Sequence, residues 1–550
     1  MAAAEERLDL TQDSRGVTVR NAAVMSVGTL LSRLTGLLRL SVTAAALGAT
    51  TLSDAYNTAN TTPNIVYELV LGGILTSVFV PVLAEWARDH DRRSQDEVGS
   101  RFLTLTLITL SGVAVVAALA APWIMRLYVA GESDAVKRAQ EVATGTFFLR
   151  WFMPQIVFYG VGAVAAGILT AHRRFAAQMF APILNNLAVI ATMLAFLWMR
   201  GGNAPTIGDI TWGQRTLLAA GTTFGVVAMT VALWPALRAI GFRWRLRFDW
   251  RHPTVRHLFE LARWVVVYVV ANQLALLVII NLNYSLRIDG AITVYTYAFL
   301  FFTLPHAIVA VSIFTALLPG MSERWSAGNV EGVRAFFSQG LRDTEIVMLP
   351  AAAGMIALAG PVVGLLVEYG NFGAVSGDRL ASALAAFAVG LPFFSAFQLL
   401  TRTFYATHDS KTPAIVNIGV NLVNLGAAVV FAFGFGWDVT GLALGQSASY
   451  LVGSAALIWL LRRRLGAIRG AEIASTIWRT AVAALLTGVV AFTVSSGVAR
   501  ILDVARPSAR LAQVVTAVIA GVLVFLLSAL ILRIGEVDEV RKALVGRFRR

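Results

Sequence analysis

Arg33 and Arg39 stand six residues apart in an apolar stretch, residues 22–48, that is long enough to cross a bilayer as a helix. Insertion scales assign roughly 2.5–3.5 kcal/mol of cost to each arginine near the middle of a membrane helix, so the pair costs about 5–7 kcal/mol that neutral residues would avoid. Six residues turn a helix by about 600°, which sets the two side chains some 120° apart and about 9 Å apart along the axis. One narrow contact cannot hold both. Two guanidinium forks reaching around the helix at Gly36 would line a wide polar cavity and clamp an extended anion such as a pyrophosphate, whose oxygens suit their bidentate geometry. The competing reading is internal ion pairing, with Glu68 as the carboxylate partner.

Other polar groups have simpler readings beside the functional one. Asp54, in the turn Leu52-Ser53-Asp54-Ala55, reads first as a helix N-cap and second as an acidic site residue. Arg150 precedes Pro154 by four residues and is placed to reach the same cavity. Arg126 and Arg263 lie within a turn or two of span ends and read as snorkelling to the interface. Asn272, Gln273, Asn281, Asn283, Tyr284, Tyr295 and Tyr297 mark either a wet surface or interhelical hydrogen bonding, the commoner role of such residues.

The elements that must position these groups follow from composition. Of 550 residues, 57% are hydrophobic and 14% charged, where a soluble chain carries charge on about a quarter. The apolar residues fall into fourteen blocks: 22–48, 56–85, 102–128, 143–171, 176–199, 216–237, 257–281, 291–319, 343–368, 381–401, 412–436, 440–461, 480–499 and 511–532. The expected fold is therefore an all-α polytopic membrane protein of about fourteen transmembrane helices. Prolines 63, 154, 305, 350, 361 and 392 fall inside these spans and mark expected bends.

A net charge of +14 would suggest nucleic acid as partner in a soluble protein. Here 31 of the 45 Lys and Arg fall in the termini and alternate loops, against 9 in the other loops and 5 inside spans. The asymmetry predicts both termini in the cytoplasm, with clusters such as Arg243, Arg245, Arg247 and Arg251 set against anionic membrane lipids rather than nucleic acid. Residues 1–20 hold no apolar core of a cleaved signal, so insertion is expected to begin at the first span.

An internal duplication is also visible. Pro81 followed by Glu85 and Trp86 is echoed by Pro319 followed by Glu323 and Trp325, and His172-Arg173-Arg174 leading to Pro182 and Asn185 is echoed by Thr407 to Pro413 leading to Asn417. The offsets are 238 and 231 residues between the prolines, and six spans separate the copies, so the repeats are parallel. The organisation expected is a cytoplasmic segment 1–21, an N-lobe 22–239 of helices 1–6, a C-lobe 257–462 of helices 7–12, helices 13–14 within 475–534, and a basic tail 535–550. Two such lobes leave a cleft that rocking opens to each side in turn.

Zero cysteines exclude thiolate metal sites, disulfides and cysteine nucleophiles. Histidines and carboxylates show no metal-ligand spacing, and the absence of a Walker A sequence removes direct ATP hydrolysis. No cofactor and no catalytic residue are expected.

With Ser32-Arg33-Leu34-Thr35-Gly36-Leu37-Leu38-Arg39, Asp54-Ala55-Tyr56, Pro63-Asn64, Phe79 to Glu85, Phe180-Ala181-Pro182, Tyr369-Gly370-Asn371-Phe372, and Phe404-Tyr405 before Asp409-Ser410-Lys411-Thr412-Pro413, the chain resembles the MurJ (MviN) family along essentially its whole length. These are lipid II flippases of bacterial cell-wall synthesis, in the multidrug/oligosaccharidyl-lipid/polysaccharide exporter superfamily. The resemblance implies a V-shaped pair of six-helix lobes around a cationic cavity, a groove for the polyprenyl tail at helices 13 and 14, a bacterial plasma-membrane location, and partners among wall-synthesis proteins. It also implies that Arg33 and Arg39 bind the substrate, with Asp54 the acidic residue at the outer end of that region; with Asn64, Glu68 and Arg150 they make up the expected substrate site. Two departures stand out. Family members carry an arginine pair where this chain has Tyr67 and Glu68, and an arginine where it has Leu300.

The function expected is movement of lipid II, or a related polyprenyl-diphosphate-linked sugar, from the inner to the outer leaflet by alternating access. The alternatives are an exporter of another lipid-linked oligosaccharide or of drugs, and a non-transporting wall scaffold. A membrane glycosyltransferase resembling the polyprenyl-sugar-dependent type would place two acidic residues in the first outer loop, which here offers only Asp54.

Overall fold

The computed structural model describes residues 27–67, 92–172, 174, 176–246 and 253–537, and every regular element among them is helical. Twelve helices are long and apolar enough to cross a bilayer, and a thirteenth span is made by the pair 374–389 and 391–406, bent by 47°. The sequence leads one to expect fourteen. The second expected span, 56–85, lies mostly outside the described residues, and its helix is seen only over Thr51–Tyr67.

The chain divides into two compact units, one of residues 1–130 and 134–269, the other of 131–133 and 270–550. The first unit contains α1 (Val27–Leu47), α2 (Thr51–Tyr67), α3 (Arg92–Tyr128), α4 (Ala135–Phe152), α5 (Gln155–Ala171), α6 (Ala176–Arg200), α7 (Trp212–Val231) and the short α8 (Trp234–Ala239). Helix α9 (Pro253–Ser285) contains the division point. The second unit continues with α10 (Ala291–Pro305), a π-helical turn (His306–Ala310), α11 (Val311–Ser326), α12 (Val330–Leu366), α13 (Ala374–Val389), α14 (Leu391–Ala406) and α15 (Lys411–Val429). A second π turn (Val430–Gly434) leads to α16 (Asp438–Leu465), α17 (Gly470–Ile501) and α18 (Pro507–Ile531).

Helix starts follow the local chemistry of orphan amides. The Asp134 carboxylate accepts the N–H groups of Val136 and Lys137 at 2.8 and 3.1 Å and so caps α4. Thr211 and Gln214 form a reciprocal capping box at the start of α7. Several helices outrun their apolar blocks, because charged ends stand beyond the hydrocarbon. The expected span 480–499 is the apolar part of α17, whose first turn carries Glu472, and the Arg342 guanidinium on α12 lies 3.7 Å from Glu472 and 3.1 Å from Glu536.

The expected bends resolve into two classes. Pro63, Pro350 and Pro361 are absorbed within continuous helices. Pro154, Pro305 and Pro392 each sit at a break: between α4 and α5, at the π turn, and in the first turn of α14 after the bend.

Candidate functional site

Helix α1 is unbroken from Val27 to Leu47, so the six-residue spacing of Arg33 and Arg39 is a true helical spacing. Its second half anchors it: Leu40, Ala44, Ala46 and Leu47 are buried, whereas Leu30, Leu34 and Leu38 are exposed. Arg33 is exposed and Arg39 half-buried. Beside Arg33, the Asn186 amide of α6 donates to the Ser32 carbonyl at 3.2 Å and to Thr35 Oγ1 at 3.0 Å. Gly36 faces the same amide, since a Cβ there would lie 3.7 Å from Asn186 Nδ2. A side chain would find ordinary contact distance there, so it is the two Asn186 hydrogen bonds that hold α6 against α1 beside the arginine motif.

Arg39 lies within electrostatic reach of two phenols, Tyr56 on α2 and Tyr159 on α5. Tyr56 is buried, and its hydroxyl is 2.7 Å from Thr222 Oγ1 on α7. Thr222 spends its own proton on the Leu218 carbonyl at 2.7 Å, so the tyrosine hydroxyl is the donor in that pair. The Tyr56 ring meets Phe148 and Phe152 of α4 edge-on at 5.7 and 5.6 Å. Tyr56 therefore joins α2, α4 and α7. Tyr56→Phe keeps the ring contacts and removes one neutral hydrogen bond, an expected loss of about 0.5–1.5 kcal/mol in thermal unfolding. Tyr56→Ala removes the ring as well and should cost about 3–5 kcal/mol.

The remaining expected residues are placed as follows. Asp54 is not the cap of α2 and does not lie in a turn. Thr50 takes the capping position, its Oγ1 accepting the Ser53 N–H at 3.3 Å while Ser53 Oγ accepts the Thr50 N–H at 2.9 Å. Asp54 falls in the first helical turn and is buried, with its N–H bonded to the Thr50 carbonyl at 3.0 Å. Ser53 Oγ also donates to the Thr50 carbonyl at 2.7 Å, so the two hydroxyls close the first turn around Thr50 and the helix begins before the carboxylate. Asn64 is exposed between buried Pro63 and Ile65. Arg150 is exposed in the last turn of α4, flanked by the buried Leu149 and Phe152. Glu68 lies outside the described residues. Leu300 on α10 is 39% exposed.

The second unit carries a matching polar feature. Asn417, four residues after Pro413 on α15, donates to Asn272 Oδ1 on α9 at 2.8 Å, and Asn421 donates to the same oxygen at 3.0 Å. Asn186 stands four residues after Pro182 on α6, so the partner of Asn417 in the duplicated pattern is Asn186 rather than Asn185. Asn283, Tyr284, Tyr295 and Tyr297 are buried. Asn283 donates to the Ile279 carbonyl of its own helix at 2.9 Å, and the rings of Tyr295 and Tyr297 pack on Phe387 and Phe372 at 5.2 and 6.1 Å. Of the residues that surround the two arginines, the sequence offers Tyr56 only within the motif Asp54-Ala55-Tyr56, and Tyr159 and Asn186 not at all. The only signal was spacing: Tyr56 sits two residues beyond Asp54, and Asn186 four beyond a proline.

Comparison with known proteins gives this arrangement its family. A family model described as "Lipid II flippase MurJ" matches residues 43–506, beginning four residues after Arg39. The probable lipid II flippase MurJ of Rhizobium meliloti is 32% identical over 414 residues, 74% of each chain. The lipid II flippase MurJ of Burkholderia cenocepacia is 29% identical over 442 residues, 79% of this chain and 82% of that one. A solved structure of a lipid II flippase MurJ in an inward closed conformation superposes with a TM-score of 0.71 at 21% identity, covering 93% of this chain and 99% of that one. An inward-facing multidrug resistance transporter of the MATE family superposes with a TM-score of 0.66 at 16% identity, covering 79% and 96%. At these identities the two structures speak for the fold. The family match, which spans most of the chain, settles the family: this multi-pass membrane protein belongs to the MurJ family of lipid II flippases.

Proposed function

We propose that the protein carries lipid II from the inner to the outer leaflet of a bacterial plasma membrane by alternating access, and that Arg33 and Arg39 grip its diphosphate. The observation that carries the transport reading is the family match over residues 43–506. The chemistry of the grip rests on α1, on which the two arginines stand about 9 Å apart along the axis of one continuous helix. Arg150 and Asn64, both exposed, add polar contacts to the head group. The carboxylates of Asp54 and Glu68 supply the acidic complement that a cationic site needs when it is empty.

The direct test is reconstitution of the purified protein in vesicles containing labelled lipid II, with outer-leaflet exposure followed with and without an imposed membrane potential. Lipid II should reach the outer leaflet faster than in protein-free vesicles. Equal rates would overturn the reading.

Orientation has its own test, made clean by the absence of native cysteine. The basic-residue asymmetry supports a cytoplasmic position for both termini. Ala204→Cys and Val375→Cys, at exposed positions, should then react with an impermeant maleimide in intact cells. Ala327→Cys and Ala467→Cys, also exposed, should react only after permeabilisation. Reversed labelling would invert the assigned direction of transport.

A further inference from the structure

The span formed by α10 and α11 is one apolar block in sequence but two helices in space. Between them the Val311 N–H donates to the His306 carbonyl, an i→i+5 bond that holds one residue more than an α turn. The neighbouring span is broken as well, bending by 47° between α13 and α14 at Gly390. There Ser447 Oγ on α16 donates to the Ala386 carbonyl at 2.8 Å, which the bend has freed from its helix. A Cβ on Gly390 would lie 2.5 Å from that same hydroxyl oxygen. The two breaks are tied to each other: His306 Nδ1 is 2.9 Å from Ser395 Oγ, one turn into α14, and both residues are buried.

The pieces on either side of these breaks share α12 and α16 as neighbours but differ in their other close contacts. In the outer pair, the Phe387 ring of α13 meets Tyr295, Phe299 and Phe302 of α10 at 5.2, 5.6 and 5.3 Å. In the inner group, Gly320 of α11 is closed against Phe336 of α12, and Gly340 of α12 against Leu317 of α11 and Leu399 of α14. Each group is close-packed within itself, and the level between them is bridged by the polar bonds, by the π turn, by the Phe394 ring of α14, 5.4 Å from Phe302 and 4.4 Å from His306, and by α12, which packs along both α13 and α14. Packed aromatic groups move as bodies, whereas a π turn and a glycine bend absorb changes of backbone direction.

We propose that His306–Ala310 and Gly390 form one hinge, on which the outer pair α10 and α13 tilts against the inner pair α11 and α14 alongside the continuous α12, with the His306–Ser395 hydrogen bond as its catch. The inference rests on the transport reading for its purpose but not for its test. Deleting Ile308, which is exposed within the π turn, removes the extra residue and closes the turn to α pitch without changing which faces α10 and α11 present. His306→Phe keeps the aromatic packing against Phe394, whose ring centroid is 4.4 Å away, and removes the catch.

The experiment measures distances between spin labels at Val375→Cys and Ala327→Cys, one on each side of the hinge, with Val375→Cys and Asp289→Cys as a pair at the outer end. The cross-hinge pair should show at least two distances in the parent, a single narrow one in the Ile308 deletion, and at least a twofold change in their populations in His306→Phe. The outer pair should stay constant throughout. Flipping of labelled lipid II should fall at least tenfold in the deletion while thermal stability is kept. Identical cross-hinge distributions in parent and deletion would overturn the hinge, as would an unfolded deletion accompanied by an unchanged distribution in His306→Phe. Altered distances in a protein that moves no lipid II even as the parent would leave the hinge standing and remove the transport reading instead.

Discussion

Arg39→Ala should lower the rate of lipid II exposure in reconstituted vesicles by tenfold to about a hundredfold, and Arg33→Ala by a similar factor, while both variants remain folded in the membrane. The magnitude follows from the bond type. A hydrogen bond to a charged group contributes about 1.5–3 kcal/mol, and a bidentate guanidinium–phosphate contact is the form of it that a diphosphate offers. Stability moves the other way, because removing an arginine from the middle of a span relieves roughly 2.5–3.5 kcal/mol of insertion cost. A fall in activity with unchanged or raised thermal stability is the signature of a group kept for its ligand. Lysine should rescue only in part, since an ammonium lacks the planar fork. Glu68→Gln separates the rival reading: if the glutamate only neutralises the arginines, its loss leaves buried charge and destabilises the protein. Full transport by the double alanine variant would defeat the proposed grip.

The two arginines were legible in the sequence because a charge inside an apolar block is costly wherever the block packs. The surroundings of Arg39 were not, because they are built by three other helices: Tyr56 arrives from α2, Tyr159 from α5 and Thr222 from α7. The spans were legible for a similar reason of scale, since 20 apolar residues leave few alternatives in water. Their internal breaks were only partly so. Proline marks a missing amide but does not say whether neighbours will absorb it, and Pro350 lies within an unbroken α12 while Pro305 opens a π turn. The misplaced cap at Asp54 has a local cause: Thr50 and Ser53 satisfy each other's amides first, and the carboxylate is carried into the helix.

Some of the packing was written in the sequence and visible only once the partner was known. Gly441 and Gly445, one turn apart on α16, lie against the backbone of α15 and its π turn. A Cβ on Gly441 would stand 2.5 Å from the Ala432 nitrogen, and one on Gly445 2.6 Å from the Ala428 nitrogen and 2.8 Å from its Cα. Small residues four apart let membrane helices approach this closely, where van der Waals contact replaces the hydrophobic effect as the source of association. Since the atoms in the way are backbone, no rotamer change relieves the clash, and Gly445→Ala should cost about 1–3 kcal/mol by separating the helices. The same exchange at Gly426, on an exposed face of α15 with no atom near its missing Cβ, should instead stabilise by about 0.5–1 kcal/mol through the better helix propensity of alanine. Thermal unfolding of the two variants in detergent therefore has opposite expected signs for one chemical change on two packed helices. Equal shifts would mean that α15 and α16 do not meet at Gly445.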